Sequence, residues 1–309
     1  MPCSPSVRPS TSHVYPHTVT RQRETSLTLP QRQTSEDINK QIRASLGMPP
    51  KPEVHPTVPV EGHVCDFPIW SYSKRRCSVT SLHIDYEDGS YFSLKAPEGM
   101  PSPSFPGYLD CILFYGQHDL FNRNYIEMSV YSIFKTLGLD ATNGGIYEMF
   151  RRDMKRAVAL YMETDRFRDP TTGERCYVDI FHVLQRVRLY KNRQGASIFY
   201  FDDLFLDSLR SGYLKRVDFD YCLHLDRDNK PLSRFLYSHI LKRLGEKSIY
   251  LRNLVGFLYD VGLGYVAQLE PKRRNEALKD SVVPALDAIR GEACSHWHMD
   301  DKGNLVFFS

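Results

Sequence analysis

One succession of elements can be read twice along the chain, and it limits the possible folds more than any single motif. Tyr108 to Leu120 is patterned as a helix and Tyr125 to Met128 as a short extended run. Ser129 can cap a second helix through Leu137, since its hydroxyl can accept from a free first-turn N–H, and Gly138 ends it. Thr142 or Asn143 can open a third helix to about Ala157. Val158, Leu160, Met162 and Thr164 then alternate with Ala159, Tyr161 and Glu163, which is strand periodicity. Asp169-Pro170-Thr171-Thr172-Gly173 is a turn, and Tyr177 to Leu184 reads as the returning strand.

The second succession starts at Leu232 to Arg243, a helix with Phe235, Leu236, Ile240 and Leu244 on one side. Ser248 to Leu251 is extended, Asn253 to Val261 is helical, and Gly262 stops it. A third helix begins within Pro271 to Ala277 and runs towards Ile289, with Pro284 expected to kink it or shorten its regular part. Trp297 and Leu305-Val306-Phe307-Phe308 flank the turn Asp300-Asp301-Lys302-Gly303-Asn304. The two second helices end alike, in Leu137-Gly138-Leu139 and Val261-Gly262-Leu263. Helix, strand, helix, helix, hairpin is the order of a winged-helix domain. The reading is therefore α+β, with two tandem winged-helix (helix-turn-helix plus β-hairpin wing) domains over 64–197 and 198–309. Within the second, residues 198–225 read as a strand–helix–strand connection between the halves.

Residues 1–63 are expected to be a disordered tail. Residues 1–60 hold ten of the nineteen prolines and a single aromatic, Tyr15, too little apolar surface to offset chain entropy. Ile38, Ile42 and Leu46 recur every four residues, so a short helix over 35–46 is the exception, either transient or docking on a partner protein.

Composition narrows the partner. Forty Lys and Arg against thirty-seven Asp and Glu give a net charge of +3, so any polyanion must be met by local charge. Seven scattered cysteines without a CxxC pair fit reduced thiols better than a disulfide framework. The absence of a long apolar run predicts a soluble, cytoplasmic protein with no membrane partner.

Local charge is found on the third helices. With Phe150 at zero and 100° per residue, Ile146, Met154 and Ala157 fall within roughly 40° of it, while Arg151, Arg152, Lys155 and Arg156 fall between roughly 100° and 240°. One face is core and the other carries four cations. In the second succession Lys272, Arg273 and Arg274 open the third helix and Lys279 follows. A helix-turn-helix lays this helix in the major groove, where Arg and Lys reach guanine O6 and N7 or neutralise phosphates. The plainer alternative is a solvated helix face. Arg166, Arg168 and Arg175 are expected at the first hairpin tip and Lys302 at the second, positions more often held for solubility than for contact. Together these residues predict double-stranded DNA as the partner.

Catalytic constellations are weak, and neither an enzyme nor a cofactor is expected. His296-Trp297-His298 has the spacing of a nickase metal pair, but no Tyr follows it, and strand alternation explains it. Cys294 nearby lacks companions for a zinc site. There is no GxxxxGK[ST] loop, and Gly262-Leu263-Gly264 follows a helix rather than a strand. Asp202-Asp203 and Asp300-Asp301 suit caps and turns.

Several segments resemble the replication initiator protein A family of plasmids. Phe67-Pro68-Ile69-Trp70-Ser71-Tyr72-Ser73-Lys74-Arg75-Arg76 resembles its opening strand, and Phe181 to Tyr190 the strand closing its first wing. Phe205-Leu206-Asp207-Ser208-Leu209-Arg210-Ser211-Gly212-Tyr213-Leu214-Lys215-Arg216-Val217-Asp218, followed by Leu232 to Tyr237, is the fullest match. Val283-Pro284-Ala285-Leu286-Asp287 resembles its last recognition helix, proline included. The resemblance spans about 64–309. It implies binding to repeated sites at a plasmid origin, local strand opening, recruitment of the host initiator and replicative helicase, a dimer–monomer equilibrium, and repression of its own promoter. A plasmid or phage transcriptional regulator without initiator activity is the alternative within DNA binding; a nicking enzyme and a pure protein-interaction module lie outside it.

Overall fold

Two kinds of stop signal, side-chain caps and left-handed glycines, set most of the helix boundaries. The computed structural model describes residues 56–62, 64–73, 78–86, 89–166, 172, 174, 178–190, 196–245 and 247–309. The short helix expected over 35–46 therefore lies outside the described residues, with the rest of the segment before residue 56. Val54–Ser309 is one compact unit and is a mixed α+β structure.

Its elements run β1 (Thr57–Glu61), β2 (Ser81–Asp85), β3 (Tyr91–Lys95), α1 (Phe105–Gly116), β4 (Tyr125–Ser129), α2 (Val130–Thr136) and α3 (Gly144–Ala159). They continue with β5 (Tyr161–Thr164), β6 (Asp179–Phe181), β7 (Leu184–Arg188), β8 (Ala196–Phe201), α4 (Asp203–Arg210), β9 (Leu214–Asp218) and α5 (Phe219–Arg227). The last part holds α6 (Pro231–Leu244), β10 (Ile249–Asn253), α7 (Leu254–Asp260), the one-turn α8 (Gly264–Ala267) and α9 (Pro271–Ala277). A π-turn (Leu278–Val282), α10 (Val283–Ile289), β11 (His296–Met299) and β12 (Asn304–Phe308) complete it.

The two successions fold alike. Ser129 caps α2 by accepting from Ser132 N, and Asn253 caps α7 by accepting from Gly256 N at 2.7 Å. Gly138 and Gly262 close them at φ 70° and 71°, where an L side chain is strained. In both, the residue after the glycine donates five residues back, Leu139 N to Phe134 O and Leu263 N to Leu258 O. Each succession ends in a three-stranded antiparallel sheet of the same order, β4-β8-β7 and β10-β12-β11.

Three expectations need correction. The strands predicted around the Asp169–Gly173 turn do pair, as β5 and β6, but they join β3 and β2 in a separate sheet, β2-β3-β5-β6. The hairpin that completes the β4 sheet is β7–β8, so the boundary drawn at 197/198 runs through β8. Alternation alone cannot assign partners, and here Phe181 and Leu184, both buried, belong to different sheets. The folded part also starts earlier than residue 64: β1 pairs with β9, with Val58 and Val60 buried. Pro59 sits without conflict there because one side of a two-stranded ribbon needs no N–H.

Helix α6 organises the interior. Nearly every position from Ser233 to Ile240 is buried. Arg234, 1% exposed, meets Asp110 of α1 with Nε donating to Oδ2 at 3.0 Å and Nη2 making a second contact to the same oxygen. One turn and more further along, Lys242 and Arg243 converge on Asp66, at 2.6 and 3.0 Å, and His239 Nδ1 lies 3.1 Å from Cys65 O. Burial alone would raise the Asp66 carboxyl; Lys242 and Arg243 outweigh it and hold it below the usual range. Burial, with Arg243 beside it, pushes His239 down to about 3, so its imidazole is neutral.

Two outcomes follow from these buried groups. Arg234→Leu alone should cost about 3–5 kcal/mol in urea unfolding, and Asp110→Leu/Arg234→Leu should recover much of that loss, because the single change strands a carboxylate. Equal losses would contradict the pairing. Since His239 titrates well below its unfolded value near 6.5, its contribution is complete above pH 6.5 and is lost as pH falls towards 3. Unfolding free energy should therefore drop by about 2–3 kcal/mol between pH 6.5 and 4.5, and the drop should shrink in His239→Gln.

Candidate nucleic-acid interface

Helix α3 starts where Asn143 Oδ1 accepts from Gly145 N at 2.8 Å. It turns Phe150, Met154 and Ala157 into the core. Phe150 meets Tyr108 and Phe134 edge-on at 5.0 and 5.5 Å. Asp153 is buried on this face as well and accepts from Ser102 N at 2.9 Å and from the Ser102 hydroxyl. Burial raises its carboxyl, and the Ser102 bonds oppose that.

The opposite face carries the four predicted cations, and the structure divides them. Arg151 pairs with Glu148 at 2.7 Å, and Lys155 with Glu98 at 2.8 Å. Arg156 Nε donates to Glu98 O at 3.1 Å. Arg152 is exposed and has no acidic partner among the described residues. Exposed pairs of this kind are worth about 0.2–1 kcal/mol, so a phosphate can displace them.

The second cluster stands on a more protruding support. Helix α9 buries none of its residues. Lys272 and Arg273 are exposed and Arg274 half-buried; Lys279, in the π-turn, is exposed too. None of the four has an acidic partner among the described residues. The helical run is anchored further along by Ala285, Leu286 and Ile289 of α10. Pro284 does not break it. Val283 N donates to Leu278 O, five residues back, and this wider turn makes room for a ring that has no N–H to give.

Hairpin residues fare differently. Lys302 is exposed in the β11–β12 turn, where Asp300 Oδ1 accepts from Lys302 N at 2.9 Å and Asn304 N at 2.8 Å. Arg168 and Arg175 lie outside the described residues. Arg166 lies in the connection that follows β5, with its guanidinium over the Tyr86 ring, 3.8 Å from the centroid. Sequence reading missed Arg186 and Arg188, which are exposed on β7 beside α3. Their alternation, Arg-Val-Arg, within the run that resembles the strand closing the first wing, was the available signal.

Other chemistry is sparse. His296 and His298 stack with Phe308 on one face of β11–β12, at 6.1 and 5.7 Å. Among the described residues no cluster of three His, Cys, Asp or Glu has the geometry to hold a metal. The described cysteines Cys65, Cys111, Cys222 and Cys294 are free and buried, and burial pushes the Cys65 thiol up to about 12. No described helix is long and apolar enough to cross a membrane.

What fastens α3 can be separated from what decorates it. Asp153→Ala should cost about 1–3 kcal/mol in urea unfolding, because it leaves Ser102 N–H without its acceptor. Glu98→Gln should cost no more than about 0.5 kcal/mol, as expected of an exposed pair. A large loss in Glu98→Gln would mean that the α3 cations are structural.

No protein-family model matches the sequence, and no curated protein matches it. Among solved structures, a selenomethionine derivative of domains 2 and 3 of RctB superimposes with a TM-score of 0.47 at 13% identity, covering 74% of this chain and 91% of that one. A second structure of RctB domains 2 and 3 gives 0.46 at 11% identity, covering 77% and 94%. At this distance, function has to be argued from the chain's own geometry.

Proposed function

We propose that the protein is a non-enzymatic, sequence-specific duplex DNA-binding replication initiator of a plasmid, built from two winged-helix units. The observation that carries the DNA reading is Lys272, Arg273, Arg274 and Lys279, presented without acidic partners among the described residues on a helical segment whose first helix buries none of its residues. The repeated element order and the matching sheet orders support two winged-helix units, with α3 and the α9–α10 run as recognition helices. On this reading base contacts select the site while Arg152, Lys155 and the hairpin Lys302 hold the register through phosphates. The initiator role, binding of origin repeats, a homodimeric form and recruitment of a host initiator and helicase rest on the family resemblance of the segments quoted above.

Footprinting the purified chain on DNA flanking its own gene tests the reading directly, and a protected set of repeats is the expected result. Arg273→Ala should weaken the specific complex by about 1–3 kcal/mol if Arg273 grips a guanine. An equal loss on random DNA would make it a phosphate contact, and an unchanged affinity would remove it from the interface. A plasmid carrying the gene and its upstream DNA, but no other origin, should persist in a suitable host. Protected repeats without persistence would leave a transcriptional regulator.

A further inference from the structure

Four cations gather around one cleft, and of them only Arg166 was among the residues expected to meet DNA. It has a volume of about 470 Å³ and lies between the end of β5, α6 and β10. That size lies within the ordinary range for small-molecule sites, about 300–1,000 Å³. Arg166, Arg243, Lys247 and Arg252 line it, with Tyr86 and Asp260.

Two of the four are fixed by carboxylates. Arg252 grips both oxygens of Asp260, at 2.8 and 3.2 Å. Arg243 is held at 3.0 Å by Asp66, a carboxylate already shared with Lys242, and its buried Nε has no acceptor among the described residues. The other two make no salt bridge among the described residues. Arg166 lies over the Tyr86 ring, 3.8 Å from its centroid, and Lys247 is exposed. Positive charge therefore exceeds negative in a concave setting, which focuses the field on whatever enters. Rigid guanidinium forks beside a mobile ammonium suit an anion with several oxygens, since Arg binds such groups in pairs and Lys as a point charge.

We propose that this cleft binds a phosphate ester. Two sources share that chemistry: a free nucleotide, or a phosphate of the DNA strand. The free-ligand case stands apart from the DNA reading, since it needs no DNA.

The test titrates the full chain by calorimetry with inorganic pyrophosphate and with metal-free ATP. It also measures DNA affinity across a salt series. Arg166→Gln/Lys247→Gln is the main variant and Lys247→Gln, at an exposed position, the second; both should melt close to wild type by circular dichroism. Lys272→Gln/Arg273→Gln serves as a control for diffuse attraction.

If the source is a free phosphate ester, wild type binds both anions, the cleft variants lose about tenfold or more, as expected when a charge-assisted hydrogen bond goes, and the control does not. If the source is the DNA strand, the cleft variants reduce the slope of log affinity against log salt by about one per lost phosphate contact. Either result supports the cleft. Anion binding lost equally in the control would overturn it. So would anion titrations without heat together with an unchanged salt slope.

Discussion

The contact on which the rest of the architecture depends is the buried ion pair between Arg234 and Asp110. Arg234 belongs to the first helix of the second succession and Asp110 to the first helix of the first. Burial opposes the Arg234 charge, and Asp110 outweighs that opposition and keeps the guanidinium ionised. Asp226 of α5 lies in the same interior, and burial holds its carboxyl well above the usual range. Apolar packing is tolerant of small slips, but a buried charge with one partner is not. The two successions are thereby set in a single relative arrangement, and the cluster of Asp66 with Lys242 and Arg243 repeats the device at the far end of the same helix. On the proposed reading, in which two recognition helices address one stretch of duplex, such a fixed arrangement would spare the cost of ordering them on binding.

Within this frame the two cation-bearing helices are unlike. On α3 Arg151, Lys155 and Arg156 are tethered by Glu148 and Glu98 and Arg152 is not, while the cations of α9 have no acidic partner among the described residues. Tethered cations must exchange partners to reach a polyanion, so they add less net affinity than free ones. The core face of α3 is also far more committed, through Phe150, Met154, Ala157 and Asp153, whereas α9 itself buries nothing. If the proposed DNA reading holds, binding strength and discrimination are drawn more from the second succession, and the first acts more in orientation.

Much of the fold could be read in the sequence because its signals are local. The caps at Ser129, Asn143 and Asn253 and the stops at Gly138 and Gly262 act within a few residues, and the structure uses all five. What could not be read was pairing. Tyr177 to Leu184 looked like one returning strand, yet the chain changes sheet across His182 and Val183, where His182 Nδ1 meets Leu160 O at 2.9 Å. Helix α3 ran two residues past its expected end, to Ala159, because the strand-like alternation that begins at Val158 says nothing about where a helix is released. At the site, helical periodicity placed Arg151, Arg152 and Lys155 on the outer face correctly. It could not show that Glu98, far away in the chain, would claim two of the basic residues, nor that Arg166 would lie on Tyr86.

Pro284 shows how a local rule can be right in its physics and leave the geometry open. A proline inside a helix removes one N–H and pushes against the preceding turn, so a kink or a shorter regular part was the natural expectation, and regular α-helix does stop at Ala277 and resume at Val283. Between the two the chain widens by one residue, over Leu278–Val282, and the Ser281 hydroxyl donates to Ala277 O within the widened turn. The consequence is geometric. An added residue per turn rotates everything on its N-terminal side about the helix axis, so the apolar stripe of α10 no longer dictates the direction in which Lys272, Arg273 and Arg274 point. At 100° per residue a continuous regular helix would have set Arg273 opposite Ala285, Leu286 and Ile289 but Arg274 only about 20° from Ala285. With the π-turn between them, α10 docks on α6 for packing while the cations of α9 stand at other angles about the axis than a regular helix would give them.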